Sequence, residues 1–364
     1  MLLITCPFGL SSILGKELKI LGYNSQDTFP TGTFVDGNQS AIYDINLRSR
    51  IANKVYLLLG KSETKTFDQL FDFVSSLDFG PYIQSGQKIS ISAHSQNSLL
   101  TSIPSIQSIS QKAIIKKISP SDPSFFQIDP DKPDFEIFIF LQNDSCKIFI
   151  NTSGISLHNR GYRQQALDAP IKENVAAGLI LLSGRKFGQA FYDPFCGSGT
   201  ICIEAAMIAK NMPVGINRSF AFQDFPDFDS KLLQTIKEQA LSKVFTEKTY
   251  KIFGSDIDPL ATKVSTQNAI NAGVDDTISF SKQDFLSMQD LSGHMVSNPP
   301  YGKRLQDFDL AQIYSHINKL FSNPDLSGGI ITSYEGFQTI IDKTKYSSKT
   351  IFNGADKCNF WKKA

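Results

Sequence analysis

The chain changes rhythm near residue 170, and that change constrains its fold more than any other feature of the sequence. Beyond this point apolar stretches alternate between helical and strand periodicity: the spacing predicts helices over 171–182, 200–210 and 259–272, and strands over 190–192, 251–254, 278–282 and 294–297. Such alternation is the pattern of a doubly wound, mainly parallel α/β sheet. The first of these strands runs directly into Asp193-Pro194-Phe195-Cys196-Gly197-Ser198-Gly199-Thr200. Gly197 and Gly199 permit positive φ and a close approach of backbone to ligand. A helix opening at Thr200 turns free N–H groups and the positive end of its dipole toward that turn. Asp193, Phe195, Gly197, Ser198, Gly199 and Thr200 are therefore candidate ligand-binding residues.

Three later strand ends also carry polar residues. Asp256, in Phe253-Gly254-Ser255-Asp256-Ile257-Asp258-Pro259, stands where an acid can accept hydrogen bonds from ribose hydroxyls. Asp258 suits the N-cap of the next helix, because Pro259 is at home in a first turn. Asp284 follows the third strand, where it can accept from an adenine amino group. Asn298-Pro299-Pro300-Tyr301-Gly302 follows the apolar strand end Met295-Val296-Ser297. That string suits chemistry at an exocyclic base nitrogen, a poor nucleophile because its lone pair is delocalised into the ring. The side-chain carbonyl of Asn298 can hold one N–H and the main-chain carbonyl of Pro299 the other, in a direction that proline fixes. Tyr301 offers a face on which the base can stack. Asn298, Pro299, Pro300 and Tyr301 are the candidate catalytic residues, and Asn298 also counts among the ligand-binding set.

The first half of the chain has a different texture. Residues 2–5 read as a strand and 11–21 as a helix with Ile13, Leu14, Leu18 and Leu21 on one face, stopped by Gly22. Residues 33–36 and 41–45 read as short strands joined by a Gly37-Asn38 turn, and 47–58 as a helix. Further on, 88–93 reads as a strand and 105–118 as a helix with Ile106, Ile109, Ala113 and Ile114 inside and Lys112, Lys116 and Lys117 toward solvent. Pro120, Pro123, Pro130 and Pro133 mark a loop-rich stretch before two strands, 135–140 and 146–151, that flank a Gln142-Asn143-Asp144 turn. A Phe- and Asp-rich stretch over 220–229 reads as an inserted loop.

Composition narrows the function classes. In 364 residues the formal net charge is +1, so any affinity for nucleic acid must rest on local patches or on shape. The candidates for such a patch are Lys112, Lys116 and Lys117, with Arg160 and Arg163, which can make bidentate phosphate contacts or a salt bridge between domains. The five cysteines, Cys6, Cys146, Cys196, Cys202 and Cys358, have no paired spacing, which argues against a zinc site or a disulfide framework and suits the cytoplasm. No apolar run is long enough to cross a bilayer.

Taken together, the Gly-rich string, Asp256, Asp284 and the Asn-Pro-Pro-Tyr string resemble those of the class I methyltransferases that modify exocyclic amines. More narrowly, the chain is similar to the bacterial THUMP-domain RNA methyltransferases, whose members include N2-guanine methyltransferases of 23S rRNA. The similarity extends to Pro7-Phe8-Gly9-Leu10 with Lys16-Glu17-Leu18, to residues 108–118, to Leu157-His158-Asn159-Arg160-Gly161-Tyr162-Arg163, to Ala169-Pro170-Ile171-Lys172-Glu173-Asn174 and to Asn353-Gly354-Ala355-Asp356-Lys357-Cys358. The resemblance implies S-adenosyl-L-methionine as cofactor, no metal, and a structured RNA partner such as 23S rRNA or a ribosome assembly intermediate. It also implies a ferredoxin-like α+β unit over 1–60, a THUMP domain over 61–155 and a Rossmann-like methyltransferase domain over 156–364. Two alternatives stand beside guanine N2: adenine N6 on DNA or RNA, and an RNA-binding assembly factor without catalysis. A dinucleotide oxidoreductase is disfavoured, because no Gly-x-Gly-x-x-Gly occurs.

Overall fold

The computed structural model describes residues 1–118, 128–163, 171–186, 188–301, 310–354 and 356–363. Pro120, Pro123, Ala169, Pro170, Gly302 and Ala355, which belong to strings singled out in the sequence, lie outside the described residues.

In the first half the elements are β1 (Leu2–Thr5), α1 (Ser11–Leu21), β2 (Ser25–Phe29), β3 (Gly32–Val35), α2 (Gln39–Arg48), β4 (Lys54–Glu63), α3 (Phe67–Ser76), β5 (Ile89–Gln96), α4 (Ile103–Ile118), β6 (Phe135–Gln142) and β7 (Ser145–Asn151). The strands form one sheet in the order β2-β3-β1-β4-β7-β6-β5. Only the β5–β6 pair is parallel. The strand β4 pairs with both β1 and β7, so the two N-terminal units share a single sheet, and residue 60 falls inside that shared strand. The helix α1 buries Ile13, Leu14 and Leu18 and stops at Gly22, which takes φ 98°. Asn143 and Asp144 both adopt positive φ, as the tight turn between β6 and β7 requires.

Two expectations fail here for related reasons. Residues 41–45 lie in α2, not in a strand, and Asn38 is its N-cap, accepting from Ala41 N. Every residue from Ala41 to Leu47 is buried, so the helix has no polar face from which a period could be read. Residues 54–58 belong to β4, not to a helix. A strand packed on both faces can carry an apolar run: Leu57 and Leu59 join the main core while Tyr56 and Leu58 join a second cluster on the other face, and the run mimics helical spacing.

In the second half the elements are α5 (Glu173–Ser183), β8 (Phe191–Asp193), α6 (Thr200–Ala209), α7 (Ser230–Leu241), β9 (Ile252–Asp256), α8 (Pro259–Ala272), β10 (Ile278–Lys282), β11 (Gly293–Ser297), α9 (Leu310–Phe321), β12 (Leu326–Thr332), α10 (Phe337–Ile340), β13 (Tyr346–Asn353) and β14 (Asp356–Lys363). Their sheet runs β10-β9-β8-β11-β12-β14-β13. The first five strands in that order are parallel, and β14 and β13 are antiparallel additions at one edge. From β8 the chain first winds one way through β9 and β10, then crosses back to β11 and β12. The carboxyl ends of β8 and β11 therefore open a crevice at the switch point.

The stretch over 220–229 is irregular apart from one short 3-10 turn between α6 and α7, and it packs onto the fold. Phe220, Phe222 and Phe225 are buried, and Phe222 stacks on Tyr43 of α2 at 4.3 Å between ring centroids. This aromatic plug covers the outer side of α2 and is the reason that helix is buried all round. No helix among the described residues is long and apolar enough to cross a membrane.

Candidate active site

The Gly-rich turn between β8 and α6 is held from below. Cys196 N donates to Ser255 O at 2.9 Å, and Asn268 Nδ2 of α8 donates to Ser198 O at 2.9 Å. Gly197 and Gly199 take φ 50° and 84°. The two glycines serve different ends. A Cβ on Gly199 would lie 2.9 Å from Ser265 Cβ, so this glycine lets the turn pack onto α8. A Cβ on Gly197 would meet nothing within 4 Å, so that side of the turn is an open cradle. Gly199 supplies no side-chain cap to α6, which leaves the first N–H groups of that helix for a ligand.

Two acids frame the cradle. Asp256, at the end of β9, accepts from Gly197 N at 3.0 Å and from Asp258 N at 3.1 Å. It is thereby fixed against the turn, and each oxygen keeps a second lone pair. Asp258 caps α8 through Leu260 N, as expected. Asp193 is buried and accepts from Ser297 Oγ and from Phe195 N. Burial pushes its carboxyl up to about 7; the two hydrogen bonds pull the other way and Asp256 adds to the rise. The Asp193–Ser297 bond ties the end of β8 to the end of β11, and so fixes the turn relative to the residue that follows Ser297.

That residue is Asn298, whose Oδ1 is buried without a hydrogen-bond partner. A buried carbonyl left unpaired costs about 1–3 kcal/mol, which marks this oxygen as one that receives a donor from outside the chain. The following backbone is braced: Tyr314 Oη of α9 donates to Pro300 O at 3.2 Å and also meets Thr332 Oγ1 at the end of β12. The Tyr301 hydroxyl lies 3.4 Å from Asn353 Nδ2 and 3.6 Å from Cys358 Sγ, so the β13–β14 hairpin holds the ring. Burial raises the Tyr301 hydroxyl well above its usual range, and it stays protonated. Pro299 is buried between Asn298 and the braced carbonyl. Asp284 is exposed at the end of the β10 loop and accepts from Leu286 N at 2.9 Å. The next residue, Phe285, packs its ring 4.6 Å from that of Phe195, an aromatic pair with Asp284 at its rim.

The structure thus gathers Asp193, Phe195, Gly197, Ser198, Gly199, Thr200, Asp256, Asp284 and Asn298 through Tyr301 at one end of one sheet. It does not bring the arginines there. Arg160 is buried, with Nε 3.3 Å from Glu204 Oε1 and donations to Leu157 O and Arg50 O. Arg163 pairs with Glu173. Both arginines form ion pairs inside the second half of the chain and neither pair bridges two domains, and Arg160 is withdrawn from any phosphate contact because its side chain is 1% exposed. Lys112, Lys116 and Lys117 are exposed on α4, with Lys116 Nζ over the Phe71 ring at 5.5 Å. Sequence reasoning missed Ser297, Asn268, Phe285, Tyr314 and Thr332. Ser297 and Phe285 adjoin recognised residues; the others carry no local signal. Among the described residues no group of three or more His, Cys, Asp or Glu is placed to hold a metal.

Comparison with known proteins bears on the same residues. Residues 160–362 match the family described as RMKL-like, methyltransferase domain; residues 64–151 match the THUMP domain, and residues 1–56 the RlmL ferredoxin-like domain. YpsC of Bacillus subtilis (strain 168) is 33% identical over 99% of this chain and 94% of its own length. Ribosomal RNA large subunit methyltransferase K/L of Shewanella frigidimarina is 30% identical over 97% of this chain, but this chain spans only 51% of that protein. The crystal structure of SMU.472 complexed with SAH superposes with a TM-score of 0.86 at 33% identity, covering 99% of this chain and 97% of the other. With a class I fold, a THUMP domain ahead of it and a family match over more than half its length, the chain belongs to the RMKL-like methyltransferases.

Proposed function

We propose that this protein transfers the methyl group of S-adenosyl-L-methionine to an exocyclic amine of a base in structured RNA, with guanine N2 of 23S rRNA, free or in a ribosome assembly intermediate, as the target. The observation that carries the reading is the unpartnered, buried Asn298 Oδ1 next to Tyr301 at the switch point of the sheet. An amide oxygen so placed is suited to hold one N–H of the amine, while the Tyr301 ring stacks on the base. With that N–H held, the nitrogen lone pair is turned out of conjugation. The nitrogen would gain the methyl group as its carbon–sulfur bond breaks and the sulfur keeps the electron pair as a neutral thioether, and would afterwards lose one proton to water, so positioning and electrostatics suffice and no strong base is needed.

The residues present fit the cofactor, which supplies an electrophilic methyl group on sulfonium sulfur. Gly197 leaves its cradle open, Asp256 has lone pairs for ribose hydroxyls, and exposed Asp284, at the rim of the Phe195–Phe285 pair, can accept from an adenine amino group. SAH in the related SMU.472 supports the same assignment. The THUMP domain and the named activity of the K/L relative favour RNA over DNA and ribosomal RNA over other RNAs. The target, the partner and a cytoplasmic site of action are our reading, and the domain limits 1–60, 61–155 and 156–364 go with it. The test is nucleoside mass spectrometry on rRNA from a deletion strain, before and after incubation with the protein and cofactor. Restoration of a missing N2-methylguanosine is expected. Restoration of N6-methyladenosine alone, or of nothing, sinks the guanine assignment.

A further inference from the structure

Opposite ends of the chain meet beside the candidate site. The turn at Pro7-Phe8-Gly9-Leu10 lies against the edge strand β13. Gly9 takes φ 90°, and a Cβ there would fall 2.3 Å from Thr350 O, so only glycine allows this approach. Leu10 is buried, with a methyl group 2.5 Å from where a Cβ on Gly178 of α5 would stand, and Lys349 Nζ of β13 meets Ser12 Oγ of α1 at 2.9 Å. The junction is therefore anchored on three sides.

What this anchoring presents is aromatic and uncovered. Phe8 and Phe352 are 41% and 36% exposed, and their rings meet edge to face with centroids 5.4 Å apart. Together with Thr350 and Lys357 they line an open recess of about 620 Å³. Phe352 and Lys357 are cross-strand partners in the hairpin. The next residues along, Asn353 and Cys358, are the two that hold the Tyr301 hydroxyl. Strand alternation sends Phe352 and Lys357 to the exposed face of the hairpin and Asn353 and Cys358 to the other, so the recess and Tyr301 lie on opposite faces of one hairpin.

We propose that Phe8 and Phe352 form a stacking shelf for an unpaired nucleotide flanking the target, with Lys357 receiving its phosphate. The proposal rests on the RNA reading above. Drawing a base out of a stack leaves its neighbours without a partner, and aromatic rings take up unstacked bases without regard to sequence. An apolar protein segment would use the rings equally well, but it would gain nothing from Lys357, whose charge lines the same recess.

The experiment uses the full chain. Binding of a single-stranded heptaribonucleotide containing 2-aminopurine is followed by fluorescence, and methylation is followed with rRNA from the deletion strain. Phe8→Leu with Phe352→Leu keeps apolar volume but removes the rings. It should weaken oligonucleotide binding roughly 5- to 150-fold, the range for loss of one stacked base, abolish the 2-aminopurine quench and raise KM for rRNA. Thermal stability and cofactor affinity should stay as in the wild type. Phe8→Tyr with Phe352→Tyr should restore both binding and quench. Undiminished binding and quenching by the leucine pair overturns the shelf and leaves the face to an apolar partner. If the wild type itself neither binds nor methylates RNA, the functional reading falls first and the shelf with it.

Discussion

Each half of the chain is organised around a seven-stranded sheet, and the two sheets dispose of polar residues in opposite ways. In the second, five parallel strands end on the same side, so Asp193, Asp256, the Asp284 loop and Asn298 converge on one crevice. In the first, antiparallel pairing sends successive strand ends to opposite sides, and no such gathering occurs among the described residues. Its exposed cations are dispersed: Lys112, Lys116 and Lys117 lie on α4, Lys16 and Lys19 on α1, and Lys61, Lys65 and Lys88 elsewhere on the surface. Parallel topology concentrates chemistry at a point; antiparallel topology spreads a surface. The parallel sheet should therefore fail abruptly on single substitutions, and the antiparallel one should weaken by degrees.

Where the halves join, that contrast can be broken outright. Glu204→Ala removes the partner of buried Arg160, whose guanidinium also reaches the backbone of Arg50 in the first half. Leaving that charge unpaired should cost about 3–5 kcal/mol, read as a lowered denaturation midpoint. Two separated transitions in place of one would show that the network is required for the halves to unfold together.

Asn298→Ala tests the point-like character of the crevice. Methyl transfer in a single turnover should slow by about 2–4 kcal/mol of barrier, by analogy with losing one oriented group in an electrostatic site, while cofactor affinity measured by calorimetry holds. A rate within about threefold of wild type, under 1 kcal/mol, would remove Asn298 from its role.

Burying an acid at the crevice has a cost that Asp193→Asn should expose. The carboxyl of Asp193 is raised from 3.8 to about 7 in the fold, so its contribution to stability is complete below about pH 4 and is lost as pH rises through 7. Above pH 7 the asparagine variant should melt at a higher temperature than the wild type. The gap should close as pH is lowered toward 4. A constant difference across that range would mean that the carboxylate is not the source.

The smallest effect is expected on the spread surface. Lys116→Glu with Lys117→Glu should lower RNA affinity several-fold and flatten the log–log salt dependence by roughly 1.4 to 1.8, as expected when two lysines no longer neutralise phosphates. Cofactor binding should not change. An abrupt loss of all RNA binding would contradict a graded surface.

Contiguous strings determined what the sequence by itself decided: the winding of the second sheet, the Gly-rich turn, the Asp258 cap and the Asn298–Tyr301 turn. Each depends on the backbone freedom of a few neighbouring residues, and α8 and β10 accordingly lie where their periodicity predicts. Packing between distant segments decided the rest. The α2 region shows no period because the Phe220–Phe225 plug covers its outer side, and the apolar run of β4 resembles a helix because both its faces are packed. Arg160 and Arg163 could serve phosphate or carboxylate equally well by residue type; the burial of Glu204 and Glu173 beside them settles it. The brace of Tyr314 and Thr332 on Pro300, and the meeting of Phe8 with Phe352, leave no mark in the strings themselves. A side chain's partner across the fold is chosen by the close packing of many residues at once, and no local pattern carries that information.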